Sequence, residues 1–293
     1  MATTFTGYVE SKILNAALFS LKSALLPIGA VTSKWELEGK RKGDSVLVPL
    51  YTGGSTGTRT LGSDGTPTGS VSVKKITLPD PTYVQWEVPS GVGGPEEFEK
   101  MASEQAKILA ADILALPFAE VTASNFGSDA DDYIVKSAGD FGVSTIGEIM
   151  LKAVAKKMRN TRLVLNGAAY TSLVTSYGVA VLDKDVIRAG VLPNLGGMDT
   201  YLYADLPSND ENLIGCAIDP TSLLIGLAPL QPNAEAGDGD LIASEVVVDE
   251  ETNISFTYTR WFQSAGSKMV GRMEVMVGAA VGNDGVVRIV SEM

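Results

Sequence analysis

The organisation of this chain is most legible in residues 46–78, VLVPLYTGGSTGTRTLGSDGTPTGSVSVKKITL. Two runs rich in β-branched and apolar residues, Val46 to Tyr51 and Val71 to Leu78, enclose a tract from Gly53 to Gly69 built almost wholly of glycine, threonine and serine. The flanks suit strands. The tract cannot build a core, because glycine loses the most backbone entropy on ordering and short polar side chains bury little apolar area. The spacing predicts an antiparallel hairpin with an abnormally long tip, since hairpin loops usually run to about two to five residues. A phosphate-cradling loop, a linker and a segment that gains order on a partner all remain open for that tip.

Beyond the hairpin, TYVQWEV (82–88) alternates Val84, Trp86 and Val88 against Tyr83, Gln85 and Glu87, a half-buried strand. GVGGPEEFEK (91–100) then opens the longest helical pattern. Pro95 suits the first helical position, and Glu96, Glu97 and Glu99 complement the positive end of the helix. Phe98, Met101, Ala102, Ile108, Leu109, Ile113 and Leu116 trace one apolar face, which Pro117 is expected to stop or kink. Upstream, Ile13, Leu14, Ala17, Leu18, Leu21, Ala24 and Leu25 predict an amphipathic helix ended by Pro27.

Downstream, DADDY (129–133) reads as a solvated turn. Thr145 and Glu148 fit a capping box for a helix carrying Ile146, Ile149, Met150, Ala153 and Val154, with Lys156, Lys157 and Arg159 at its C-terminal end. TRLVLNGAAYTSLVTS (161–176) predicts a buried strand, an Asn166 cap and a helix. DTYLYADLP (199–207) and LLIGLAPL (223–230) read as further strands. Past residue 240 the pattern turns to long alternating strands, and Asn283-Asp284-Gly285 predicts a hairpin closing on VVRIV (286–290). Helices and largely antiparallel strands in this order make the chain α+β.

Composition narrows the chemistry. The chain has 293 residues, 45% of them hydrophobic, and a formal charge of −12, enough for a sizeable core but adverse to nucleic acid or an anionic membrane. It has no histidine, which excludes histidine-based triads and histidine-ligated zinc. The single cysteine, Cys216, lies in the apolar run LIGCAI and reads as a buried, inert thiol. GVGGPEE and SAGSKM lack the spacing of phosphate-binding glycine loops. DADDY and the GDGD at 237–240 lack the ligand pattern of a calcium loop, and Asn253-Ile254-Ser255 is a sequon without a visible secretory signal. The longest apolar stretch, ILAADILALPFAEV, is too short to span a bilayer. The expectation is a soluble protein made in the cytoplasm, with no catalytic residues, no cofactor and no metal.

What remains is an order of parts: a short amphipathic arm, a long glycine-tipped hairpin, a long acidic-faced helix, a compact mixed region and a closing antiparallel sheet. In this order the chain resembles the major capsid (coat) protein of tailed bacteriophages, whose fold is shared with encapsulin shells. TRLVLNGAAYTSL (161–173), LPNLGGMDTYLYADLP (192–207), GCAIDPTSLLIGLAP (215–229) and FTYTRWFQSAGSKMVGRMEVMVGAAVGNDGVVRIV (256–290) are similar to elements of that family's axial and peripheral domains. Nearly the whole chain is covered.

The resemblance implies an N-terminal arm (1–45), an extended loop (46–88), a peripheral domain with a spine helix (89–134 and 236–293) and an axial domain (135–235). It implies a structural protein that self-assembles as hexamers and pentamers into an icosahedral head around double-stranded DNA, contacted only weakly and without a membrane. An encapsulin-like compartment is the alternative on the same fold, and an acidic enzyme without histidine the alternative outside it. Only about forty residues precede the hairpin, so a separate scaffolding protein is expected, together with a portal protein and, as an optional addition, a decoration protein. The hairpin tip is expected to be mobile in the free subunit and ordered against a neighbour. There Arg59, Lys74 and Lys75 would meet Glu96, Glu97 and Glu99.

Overall fold

The computed structural model describes residues 2–52, 70–89, 94–177, 191–231, 240–249, 252–264 and 266–292. The chain runs through α1 (Ala2–Ala24), β1 (Thr32–Trp35), β2 (Ser45–Thr52), β3 (Ser70–Thr77), β4 (Thr82–Pro89), α2 (Pro95–Ala119), α3 (Ala123–Phe126) and β5 (Tyr133–Val135). It continues through α4 (Val143–Ala155), β6 (Arg162–Leu165), α5 (Gly167–Tyr177), β7 (Val191–Leu195), β8 (Met198–Leu202) and β9 (Leu213–Ile218). It ends with β10 (Leu223–Ala228), β11 (Asp240–Val248), β12 (Ser255–Gln263), β13 (Lys268–Val281) and β14 (Val286–Val290).

The first sheet is organised on β13, a strand of 14 residues. Along one edge β13 pairs with β4 and then with β10, end to end; along the other it pairs with β12, which carries β11. β1 adds in parallel outside β10. Alternation of side chains sorts the two faces. Leu223, Ile225, Leu227, Val275 and Val277 face a core shared with Ile13, Ala17 and Leu21 of α1 and Phe98, Ala102, Ala106 and Leu109 of α2. Leu224, Ala228 and Met276 face the opposite side, where the β2–β3 hairpin packs. The sheet is therefore covered by helices on one face and by the hairpin on the other. α2 starts at Pro95 as the sequence predicts, and the Gly94 N–H donates to Glu97 Oε2 at 2.9 Å. It runs past Pro117 only to Ala119: the proline lacks the N–H that would bond the Ile113 carbonyl, and the helix ends within the next turn.

The second sheet has the order β5-β14-β9-β6-β8-β7. Leu163, Leu165, Ala217, Val287 and Ile289 pack beneath α4 and α5, while Val164, Cys216, Ile218 and Val286 join the main core from the other face. Asn166 caps α5 as expected, accepting from the Ala169 N–H at 2.9 Å. Thr145 does not start α4. The N-cap is Gly142, and Thr145 is fully buried in the first turn with its hydroxyl 3.5 Å from the Gly142 N–H. Thr145 therefore serves at the third helical position, its N–H donating to the Gly142 carbonyl at 3.0 Å, rather than as the cap.

The closing hairpin predicted at Asn283-Asp284-Gly285 does not form. β14 leaves β13 and inserts between β5 and β9 of the second sheet. The turn is held instead by the Asp219–Ser222 segment: Gly282 N–H donates to Ser222 O at 2.8 Å, Asn283 N–H to Thr221 O at 3.1 Å and Asp219 N–H to Gly285 O at 2.8 Å. β9–β10 and β13–β14 thus cross between the sheets side by side, in opposite directions. A Cβ on Gly282 would stand 2.1 Å from Thr221 O, so only glycine permits this approach. β10, from 135–235, thus belongs to the first sheet, and β14, from 236–293, to the second.

Candidate interaction surfaces

β2 and β3 pair antiparallel from Ser45↔Thr77 to Thr52↔Ser70, the hairpin the sequence predicts. Its inner face, Val46, Val48, Leu50 and Ile76, is buried. That face lies on Gly226 and Gly278, which are partners across β10 and β13. A Cβ on Gly226 would come within 3.0 Å of Val46 Cβ, and one on Gly278 within 2.6 Å of Ile76 Cγ2 and 2.8 Å of Thr77 O. The glycine pair makes the flat seat that the hairpin occupies. Sequence reading passes over both residues, since isolated strand glycines look like weakened strand rather than a docking point.

The outer face is also apolar, and among the described residues nothing covers it. Leu47 is 55% exposed, Val71 62% and Val73 57%, and Lys75 lies beside them opposite Leu47. Successive strand residues point to opposite faces. Lys75 therefore shares the apolar outer face, while Lys74 starts from the inner side of the hairpin; both are exposed. Arg59 and the tip lie outside the described residues. Among the predicted acidic contacts, Glu96 and Glu97 are exposed and Glu99 is half-buried. Glu97 already serves its own helix: its own amide and that of Gly94 hold its carboxyl below the ordinary carboxylate range. No ion pair joins these lysines and glutamates within the described residues.

Charges that are buried are paired. Lys156 Nζ lies 2.8 Å from Asp132 and 2.8 Å from Asp284, and donates to Val286 O at 3.0 Å. Asp132 is not the solvated turn residue expected of DADDY but a buried anchor. Burial disfavours its charge, yet the Lys156 and Asp129 hydrogen bonds and the charges of Lys156 and Arg288 outweigh this and hold its carboxyl low. Arg288 in turn binds Glu211 and donates to Gly127 O at 2.6 Å. This cluster pins β14 to α4 and the β5 approach.

Cys216 is buried, and burial pushes its thiol up. Among the described residues, no group of three or more potential ligands could hold a metal, and no helix is long and apolar enough to cross a membrane. One apolar cleft of about 660 Å³ lies where α1 ends, lined by Phe19, Leu25, Leu26, Trp35, Tyr201 and Ile254.

No model of a known protein family matches the chain, and no curated protein matches it by sequence. Solved structures do match it in three dimensions. The capsid of the cyanophage P-SCSP1u aligns with a TM-score of 0.50 at 14% identity, over 90% of this chain and 86% of that one. The capsid of Ralstonia phage GP4 aligns with a TM-score of 0.51 at 12% identity, over 89% and 86%. The head of Helicobacter pylori bacteriophage KHP40 aligns with a TM-score of 0.51 at 11% identity, over 91% and 90%. At these identities the likeness is one of fold, and it runs through nearly the whole of each chain.

Proposed function

We propose, on the premise that this chain has the fold found in tailed-phage capsids and heads, that it is a major capsid protein. It assembles through hexamers and pentamers into an icosahedral shell that encloses double-stranded DNA. The observation that carries this reading is the uncovered apolar outer face of the β2–β3 hairpin. A two-stranded hairpin is marginal on its own, and this one is apolar on both faces while the described residues of its own subunit cover only one. A neighbouring subunit supplies the missing cover. The three structures named above are phage capsids or heads, which supports a shell subunit; a cargo compartment on the same fold is the alternative.

In this reading the first sheet with α1 and α2 is the peripheral unit, and the second sheet with α4 and α5 the axial unit. The subunit is structural rather than catalytic. Its charge of −12 keeps packaged DNA weakly held. A separate scaffolding protein, a portal protein and an optional decoration protein complete the head, which is built in the host cytoplasm and persists in the virion. Purified protein, alone and co-expressed with its scaffolding protein, is to be examined by negative-stain microscopy and sedimentation. Closed particles or ring-shaped capsomers are expected. Only monomers or dimers across salt, crowding and scaffold conditions would overturn the reading.

A further inference from the structure

Strand β1 has a slot along its open edge. It pairs in parallel with β10 from Thr32↔Leu224 to Trp35↔Leu227, and the Glu36 N–H donates to Leu227 O at 2.8 Å. In a parallel pair, the residues that bond the partner strand alternate. Thr32, Lys34 and Glu36 therefore turn their amides and carbonyls to β10, while Ser33 and Trp35 turn theirs outward. Among the described residues, nothing bonds the outward backbone groups of Ser33 and Trp35. Both residues line two adjoining clefts, and Thr252 of the β11–β12 turn lines the same two.

The clefts differ in chemistry. The one at the end of α1, about 660 Å³, is walled by Phe19, Leu25, Leu26 and Ile254, with Phe19 76% exposed. Lys22 is the charged residue on that wall, and its ammonium lies 2.9 Å from Asp249. The other cleft, about 590 Å³, carries Glu36 and Glu38, with Lys34 the cation on its wall. Among the described residues no ion pair engages either carboxylate. An open strand edge thus runs from an apolar end to an end where carboxylates outnumber ammonium groups. We propose that the slot takes an extended segment of a partner protein as a strand added beside β1. The backbone groups of Ser33 and Trp35 bond the segment, one apolar side chain enters the α1 cleft, and a lysine or arginine meets Glu36 and Glu38. Backbone pairing holds any extended chain, and the two ends select its composition. At about 3.3 Å per residue, the apolar and basic positions stand about three to five residues apart. The inference goes beyond the shell reading and does not need it, because the slot belongs to the free subunit.

The probe is a pool of heptapeptides randomised at every position, panned on the immobilised full-length subunit and measured by fluorescence anisotropy. Selected sequences should carry an apolar residue and a lysine or arginine at that separation. Ser33→Pro removes one outward amide and leaves the bonds to β10, as an edge strand tolerates, and should weaken binding by about tenfold or more, while Ser33→Ala binds as before. Glu36→Gln with Glu38→Gln should weaken it by about tenfold and flatten its salt dependence. Thermal melts establish that the variants fold. Should Ser33→Pro not fold, methylating the peptide's own amides reads the same bonds: methyls on one alternate set should abolish binding, and methyls on the other should not. No selection, selected peptides without the basic residue, or binding indifferent to amide methylation overturns the proposal. Protection of the Ser33 and Trp35 amides from hydrogen exchange that grows with the concentration of the subunit alone would give the slot to a second copy, and equally overturn it.

Discussion

Lys156 is held by two carboxylates, and only one of them, Asp132, is buried with it. Asp132→Asn leaves a buried ammonium short of its buried countercharge and should cost about 3–5 kcal/mol in urea unfolding, against about 1 kcal/mol or less for the exposed Asp284→Asn. The pH dependence has a definite sign. Because the folded structure holds the Asp132 carboxyl below its ordinary value of 3.8, its contribution is present above that value and is lost as pH falls through the lower, folded one. Asp132→Asn should flatten the acid limb of the stability curve. Glu274 behaves in the opposite way. Burial raises its carboxyl above 4.5, with Arg272 opposing, so its contribution is full below that value and is lost as pH rises through the folded one. Glu274→Gln should therefore raise the melting temperature at neutral pH and leave it unchanged in acid. Little of this is legible in the sequence. DADDY contains three aspartates of equal composition, and which one turns inward depends on Lys156, far along the chain. Cys216 was readable because its apolar neighbours are adjacent in sequence.

The strands of the hairpin were legible because alternation and the glycine tract are local signals. Which of its faces is covered was not, because both are apolar: Val46 and Val48 on one side, Leu47 and Val73 on the other. The decision belongs to Gly226 and Gly278, about 150–200 residues away in sequence. Gly278→Val should unseat the hairpin by pressing on Ile76 and the Thr77 carbonyl, at a cost of about 1–3 kcal/mol, read as a lower denaturation midpoint and increased proteolysis within 45–77. The tip makes a separate prediction. Replacing Ser55–Thr66 with a tight Asn-Gly turn should leave the isolated subunit folded, with unchanged circular dichroism and melting, while particle yield or strength falls. Wild-type particles from that variant would remove any clasping role for the tip.

At the scale of the whole molecule, each subunit brings a charge of −12 to every contact. Raising ionic strength from about 0.05 M to about 0.5 M shortens the screening length to a few ångströms, so the protein concentration needed for assembly should fall across that range. Light scattering would follow it, and a rise would mean that contacts between opposite charges dominate instead. The general architecture was legible from the order of parts, because each part has its own periodicity. The exchange of β10 and β14 between sheets was not: a turn signal says that the chain reverses, never which neighbour the next strand will take. That exchange has a consequence in time. β5 is complete at Val135, yet the strand that pairs with it and with β9 begins only at Val286. At translation rates of about 5–20 residues per second, the ribosome needs on the order of ten seconds to supply it. Through that interval every nascent chain carries the open edge of β5, joined after Ile218 by that of β9, waiting for a partner that has not been made. The yield of finished protein is then set by how crowded the half-made chains are, and slower synthesis at lower density should recover more of it.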